Sequence, residues 1–251
     1  MRIECLGTTG YHPSPSRHTA CYFLPEQKLL LDAGTGLFRL VQHLQQRPLQ
    51  SLDILLTHAH LDHTVGLTFL LDVMAVTELE RVRLFAEQSK LDAVAKHLFQ
   101  NDLFPVAPPF ELIALPKAPG EVQIGDTKIS FFEQEHPGNS LGYELQVDGK
   151  NILYMTDTTP DYGTQHDERL MRCDLLMHEC YFSDEHIELA RKTGHSWLSA
   201  VTEIVARTKP KQTLLIHVNP LAEMLKAEFD LSDIHMSLNM SIAQDEKTIT
   251  V

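Results

Sequence analysis

The amino-acid sequence predicts an α/β (α+β) protein, a four-layer αβ/βα sandwich with two packed sheets and helices outside. Three observations lead there. Strand and helix patterns run through the chain in two successive halves, potential ligand residues recur at strand ends, and 251 residues lie near the upper limit of one hydrophobic core. A single domain, 1-251, is expected.

The elements follow in order. Arg2-Ile3-Glu4-Cys5-Leu6 alternates as a first strand and stops at Gly7, before a loop rich in Gly, Pro and Ser through Ser16. Thr19 to Leu24 and Lys28 to Leu31 are apolar runs split by Pro25-Glu26-Gln27, a hairpin pattern closed by Asp32-Ala33-Gly34. A helix is expected from Leu37 to Gln46. Leu52 to Leu56 is continuously apolar, as in a strand buried on both faces, and Thr64 to Val76 reads as helical. Glu78 to Phe85 suggests a strand, and Leu91, Val94, Ala95 and Leu98 give Ser89 to Phe99 a helical period. From Phe110 a second sheet is expected, built from Glu111 to Leu115, Glu121 to Ile124, Lys128 to Phe132, Leu141 to Val147 and Asn151 to Met155. Strands Leu175 to His178 and Thr213 to His217 then alternate with helices, and Thr248 to Val251 closes the chain.

Composition narrows the function. No apolar run approaches the roughly 20 residues of a spanning helix, and no secretory pattern opens the chain, so a cytoplasmic protein without a membrane partner is expected. A formal charge of −13 disfavours long nucleic acid. The four cysteines show no CxxC spacing, which suits reduced, buried thiols.

The densest chemistry is Thr57-His58-Ala59-His60-Leu61-Asp62-His63. A lone histidine would mean little, but three imidazoles and a carboxylate in six positions read as a metal site. In an extended segment His58 and His60 point the same way, while a turn at Leu61 sends Asp62 and His63 elsewhere, which fits two ions better than one. Two ions need further donors at strand ends. His136 follows Phe131-Phe132, Asp157 ends Ile152 to Thr156, and His217 ends Leu214 to Ile216.

With these residues the sequence resembles the metallo-β-lactamase fold superfamily, whose HxHxDH signature His58 to His63 matches in full. Leu6 to Gly10 looks like the family's LGTxG turn, and Leu31 to Gly34 like its buried Asp-x-Gly motif. The resemblance implies that His58, His60 and His136 hold one ion, that Asp62, His63 and His217 hold the other, and that Asp157 bridges them. It implies two divalent metal ions, zinc first, with manganese or iron open to the same donors. A metal-bridging hydroxide would be the nucleophile, Asp62 would orient it or take its proton, and Asp32 would fix a ligand imidazole, its other reading being a turn residue. Thr57 reads as structural.

His178-Glu179-Cys180-Tyr181 and His195-Ser196 resemble the HEAT and HST segments of the ribonuclease Z branch and its shorter phosphodiesterase relatives. By that resemblance His195 contacts the phosphate or assists the leaving group, and Glu179 orients it. The bland reading makes Ser196 the N-cap of a helix from Trp197 to Arg207, and His178 reads as structural. Arg17, His18 and Thr19 lie in the first loop, where by the same resemblance relatives can contact substrate, and read here as surface loop; His12, His43, His97, His166, His186 and His235 are unexceptional. Enzymes of that branch that process tRNA carry a long arm between the third histidine and the bridging aspartate, whereas His136 and Asp157 stand 21 positions apart. A small or short phosphodiester substrate is expected, 86–109 is the candidate lid, and a homodimer is the candidate assembly.

Two rivals use the same residues. A lactone or thioester hydrolase would be indifferent to His195→Ala, whereas a phosphodiesterase would lose most turnover on bis(p-nitrophenyl) phosphate. A non-catalytic metal-binding regulator would show no hydrolysis with zinc or manganese added.

Overall fold

The computed structural model describes residues 1–100, 102–224 and 238–251; His235 lies outside them. The chain forms two compact units, residues 1–117 with 244–250, and 118–243 with 251. In chain order the first unit supplies β1 (Arg2–Gly7), β2 (Cys21–Leu24), β3 (Leu29–Leu31), β4 (Ser51–Leu55), β5 (Arg81–Ala86) and β6 (Glu111–Ala114). The second supplies β7 (Gly120–Ile124), β8 (Thr127–Gln134), β9 (Ser140–Val147), β10 (Lys150–Met155), β11 (Leu175–Glu179), β12 (Thr213–Ile216) and β13 (Met240–Ile242). β14 (Thr248–Thr250) returns to the first unit and pairs with β1.

Among the described residues each unit holds one seven-stranded mixed sheet, ordered β14-β1-β2-β3-β4-β5-β6 and β13-β12-β11-β10-β9-β8-β7. In both, a parallel set joins an antiparallel one: β3 to β6 run parallel, as do β10 to β13. The inner parallel strands β3, β11 and β12 are buried along their whole length, which is why they read as apolar runs, whereas β6 at the edge of the first sheet is largely exposed. Within the second unit β8 and β9, and β9 and β10, pair antiparallel. β8 therefore runs with β10, β11 and β12, and the C-terminal ends of all four share one sheet edge.

The first unit's core gathers Leu30, Ile54, Leu56 and Leu84 from the sheet with Leu37, Leu40, Leu67, Leu70 and Val73 from helical segments. Each such fully buried leucine contributes about 2 kcal/mol of apolar burial. The second unit packs Phe132, Leu153, Met155, Leu176 and Leu215 against Leu170, Val201, Ile204 and Val205.

Several expectations need correction. Glu111–Ala114 pairs parallel with β5 at the edge of the first sheet, so the second sheet begins only at Gly120. The helix expected from Leu37 starts as a 3-10 turn, Thr35–Arg39, before Leu40–Gln46. Thr64 to Val76 is likewise broken into Leu61–Thr64, Val65–Phe69 and Leu70–Val76. The candidate lid packs Leu91, Val94 and Phe99 into the first unit's core, with the Phe104 and Phe110 rings edge-on to Phe99 at 5.4 Å. Among the described residues no helix is long and apolar enough to cross a membrane.

Candidate metal centre

In the first unit the site grows from the neighbouring ends of β3 and β4. Asp32 follows β3 with a left-handed φ of +56° and is completely buried. Its carboxylate accepts the Thr57 backbone N–H at 2.8 Å, the Thr57 hydroxyl at 3.0 and 3.1 Å, and His63 Nδ1–H at 2.9 Å. Since the Thr57 hydroxyl donates to Asp32, its oxygen accepts His58 Nδ1–H at 3.0 Å. One carboxylate thus orients two imidazoles, His63 directly and His58 through Thr57, so that Nε2 is the nitrogen of each that could ligate a metal ion. Thr57 is therefore more than the structural residue expected from sequence.

His60 is the extended residue before the short helix Leu61–Thr64, so the backbone turns at Leu61 as anticipated. His58 and His60 bring ring nitrogens within 4.8 Å of one another, and Asp62 and His63 do the same with Oδ2 and Nε2 at 3.4 Å. Asp62 Oδ2 also accepts the Tyr11 N–H at 2.7 Å, a contact no sequence signal foretold. Arg17 and Thr19 are buried instead of forming a surface loop. Thr19 and Thr35 exchange side-chain to backbone hydrogen bonds of 2.8 and 2.9 Å that tie this loop to the turn after Gly34.

Gly34 fixes the spacing. A Cβ there would sit 2.2 Å from the Asp62 carbonyl oxygen and 2.4 Å from Thr19 Oγ1. Backbone would have to move, so Gly34→Ala is expected to cost about 3 kcal/mol or more, read as a lowered urea midpoint with unchanged m.

In the second unit the donors stand on the common strand edge. His136 lies just past β8, Asp157 past β10, Glu179 at the end of β11 and His217 past β12. Asp157 and His217 both take left-handed φ, +48° and +51°, strained conformations of the kind that cluster at functional positions. Asp157 lies between two imidazoles: Oδ2 is 3.4 Å from His136 Nε2 and Oδ1 is 3.2 Å from His217 Nε2. Thr156 donates its hydroxyl to Asp157 Oδ1 at 2.8 Å. His136 Nδ1–H donates to the Gly194 carbonyl at 2.9 Å, which again leaves Nε2 as donor. Gly194 adopts φ +77°, and a Cβ there would meet the Pro137 ring at 2.4 Å. Burial lowers the His136 pKa, opposed by Asp157 and the Gly194 carbonyl, so the imidazole is neutral and fit to ligate at neutral pH.

His195 joins this edge, with a donor nitrogen within 4.8 Å of donors from Asp157 and His217. Its ring clusters with those of Tyr181 at 4.6 Å and His217 at 5.5 Å, inclined to them by 19° and 26°, and those two rings are themselves 5.6 Å apart. His195 Nδ1–H donates to Glu179 Oε1 at 3.0 Å. The fully buried Glu179 carboxylate also accepts the Thr158 N–H at 2.7 Å and the Ser196 N–H at 3.1 Å. Glu179 therefore sets both the orientation and the tautomer of His195, presenting Nε2, and would stabilise the imidazolium.

Two nearby residues complete the comparison with sequence. Ser196 is not a helix cap: the helix is Leu198–Thr208, its N-cap position is Trp197, and the Ser196 hydroxyl donates to the Thr158 carbonyl. His178 is structural as expected, donating to the Glu179 carbonyl and accepting from Tyr162 Oη.

A family model described as a beta-lactamase superfamily domain matches residues 27–218. Ribonuclease Z of Archaeoglobus fulgidus is 23% identical, in an alignment covering 100% of this chain and 98% of the relative. Among solved structures, human tRNase Z, short form (ELAC1), aligns at a TM-score of 0.74 with 20% identity over 100% and 99% of the two chains. Zn(2+)-bound PqqB from Methylobacterium extorquens aligns at 0.79 with 15% identity over 100% of both. These likenesses give the chain the α/β sandwich expected from its sequence.

Proposed function

The chain belongs to the beta-lactamase superfamily, and on that premise we propose that it is a dinuclear metal-dependent hydrolase of phosphodiesters, acting as one domain on a small or nucleotide-like substrate. In this reading His58, His60 and His136 hold one divalent ion, Asp62, His63 and His217 the second, and Asp157 is common to both. The residues fit such ions: each donor is an imidazole nitrogen or a carboxylate oxygen, and Asp32, Thr57 and Gly194 orient three of the imidazoles. Zinc is the first expectation, and the zinc-bound structural neighbour supports it. When bound, the ions supply Lewis acidity toward a phosphoryl oxygen and acidify a water to a pKa of about 7.

The remaining chemistry belongs to side chains. Asp62 would orient the attacking water or take its proton. His195, held through Nδ1 by Glu179, presents Nε2 to give a proton to the departing oxygen. The observation that carries the reading is Asp157 between His136 and His217, with the Glu179–His195 pair beside it.

A small substrate is supported by the interval from His136 to Asp157, which holds only the β9–β10 hairpin, and by the net charge of −13. The ribonuclease Z relatives support phosphodiester chemistry. Cytoplasmic work is supported by four buried free cysteines, with burial pushing the Cys5 and Cys173 thiols up to about 12. A second copy of the chain is the candidate partner.

Metal-loaded protein should be screened against phosphodiesters, lactones and thioesters. Turnover of bis(p-nitrophenyl) phosphate with none above background on the others is expected; the opposite pattern would transfer the site to the rival hydrolase.

A further inference from the structure

We infer that Tyr181 is a positioning residue, which stacks on the face of the His195 imidazole and keeps Nε2 in register for proton transfer; its use in catalysis rests on the phosphodiesterase reading above. Glu179 already holds the ring through Nδ1 at 3.0 Å. A hydrogen bond weakens steeply only when its angle falls below about 120°, so this bond alone lets the imidazole rock by roughly 30° from a good geometry. A second group lying against the ring face removes that freedom. The Tyr181 ring supplies it, with centroids 4.6 Å apart and planes inclined by 19°, inside the usual range of stacked aromatic pairs. Misplacing a reacting group by about 1 Å costs on the order of 10²-fold in rate, and a displacement of about half that size on the order of tenfold.

The backbone builds this stack. After β11 the chain runs beside the segment that follows His195: the Tyr181 and Phe182 N–H groups both donate to the Ser196 carbonyl, at 3.2 and 3.1 Å, and the Leu198 N–H donates to the Phe182 carbonyl at 3.1 Å. Phe182 and Trp197 form a parallel bridge. This short pairing sets the Tyr181 ring against His195, as the Ser196 N–H on Glu179 sets the carboxylate beside Nδ1. Tyr181 is itself 9% exposed and clusters with Phe182, Ala190 and Trp197, and a side chain locked by packing is a rigid stop. The HEAT pattern has threonine at this position, so the aromatic face belongs to this chain and not to the pattern.

Two other roles for the ring are less well supported by the geometry. Its contact with His217 is looser, at 5.6 Å and 39°, so steadying that candidate metal donor is secondary. A ring so buried, with one face on His195, offers little area for a substrate to stack on.

The test compares wild type, Tyr181→Leu and Tyr181→Phe as zinc-loaded full chains on aryl methyl phosphodiesters whose phenol leaving groups grow less acidic. Tyr181→Leu keeps an apolar side chain in the cluster and should lower kcat about tenfold, with KM near the wild-type value and a loss that widens as the leaving group worsens. Tyr181→Phe keeps the ring and should recover most of the lost rate. Added to His195→Ala, Tyr181→Leu should change kcat less than about twofold, since nothing is left to position. NMR of the same proteins gives a readout without turnover: the Tyr181 ring current should shift the His195 ring protons upfield in wild type and Tyr181→Phe, and Tyr181→Leu should lose that shift. An equal loss across leaving groups, an undiminished effect beside His195→Ala, Tyr181→Phe as slow as Tyr181→Leu, less bound zinc in Tyr181→Leu, or His195 signals alike in all three chains would overturn the inference. A wild-type chain that shows the upfield shift but hydrolyses no diester would instead overturn the hydrolase reading, and with it the use of the stack.

Discussion

Replacing His195 with alanine is expected to lower kcat on bis(p-nitrophenyl) phosphate by about 10²-fold, and by more on a diester with a poorer leaving group, within the usual range for general acid catalysis. The side chain does little for the fold that alanine would forfeit: its Nδ1 partner Glu179 keeps the Thr158 and Ser196 N–H groups. Zinc content should stay at the wild-type level, which separates loss of the proton donor from loss of metal. A steeper loss with worse leaving groups is the signature of a group acting on the departing oxygen. Unchanged turnover on all diesters would remove His195 from the chemistry.

Asp157→Asn carries the other large effect. The amide is close in shape to the carboxylate, and asparagine tolerates the left-handed backbone that Asp157 adopts at φ +48°. The metal-free fold should therefore be retained. What is lost is negative charge between His136 and His217, at 3.4 and 3.2 Å from their Nε2 atoms. Zinc affinity measured by chelator competition should fall about 10²-fold or more, and turnover at limiting zinc should fall with it. Wild-type zinc affinity in this variant would mean that Asp157 is no ligand.

Much of this site was legible in the sequence because strands buried on both faces announce themselves as apolar runs, and the donors sit where those runs stop. His58, Asp157 and His217 each follow such a run, whereas His136 follows β8, whose burial alternates with exposed Lys128 and Glu133. Pairing was less legible. Glu111–Ala114 looks locally like the strands that follow it, and only its parallel register with β5 assigns it to the first sheet. β13 escaped notice because Met240-Ser241-Ile242 is too short to show alternation. Ser196 has the side chain of a helix cap, yet its hydroxyl is drawn to the Thr158 carbonyl by a tertiary contact that no local pattern encodes. Thr57 was undervalued for the same reason: its role depends on Asp32, 25 positions away, arriving beside it through the β3–β4 pairing.

The most direct test is a zinc titration of chelator-stripped protein followed by hydrolysis of bis(p-nitrophenyl) phosphate. Two donor sets sharing Asp157 predict no activity without metal and a rate that rises to a plateau at two zinc ions per chain. Saturation of binding at one ion, or two bound ions with no hydrolysis of any phosphodiester, would contradict the assignment of this chain as a two-metal phosphodiesterase.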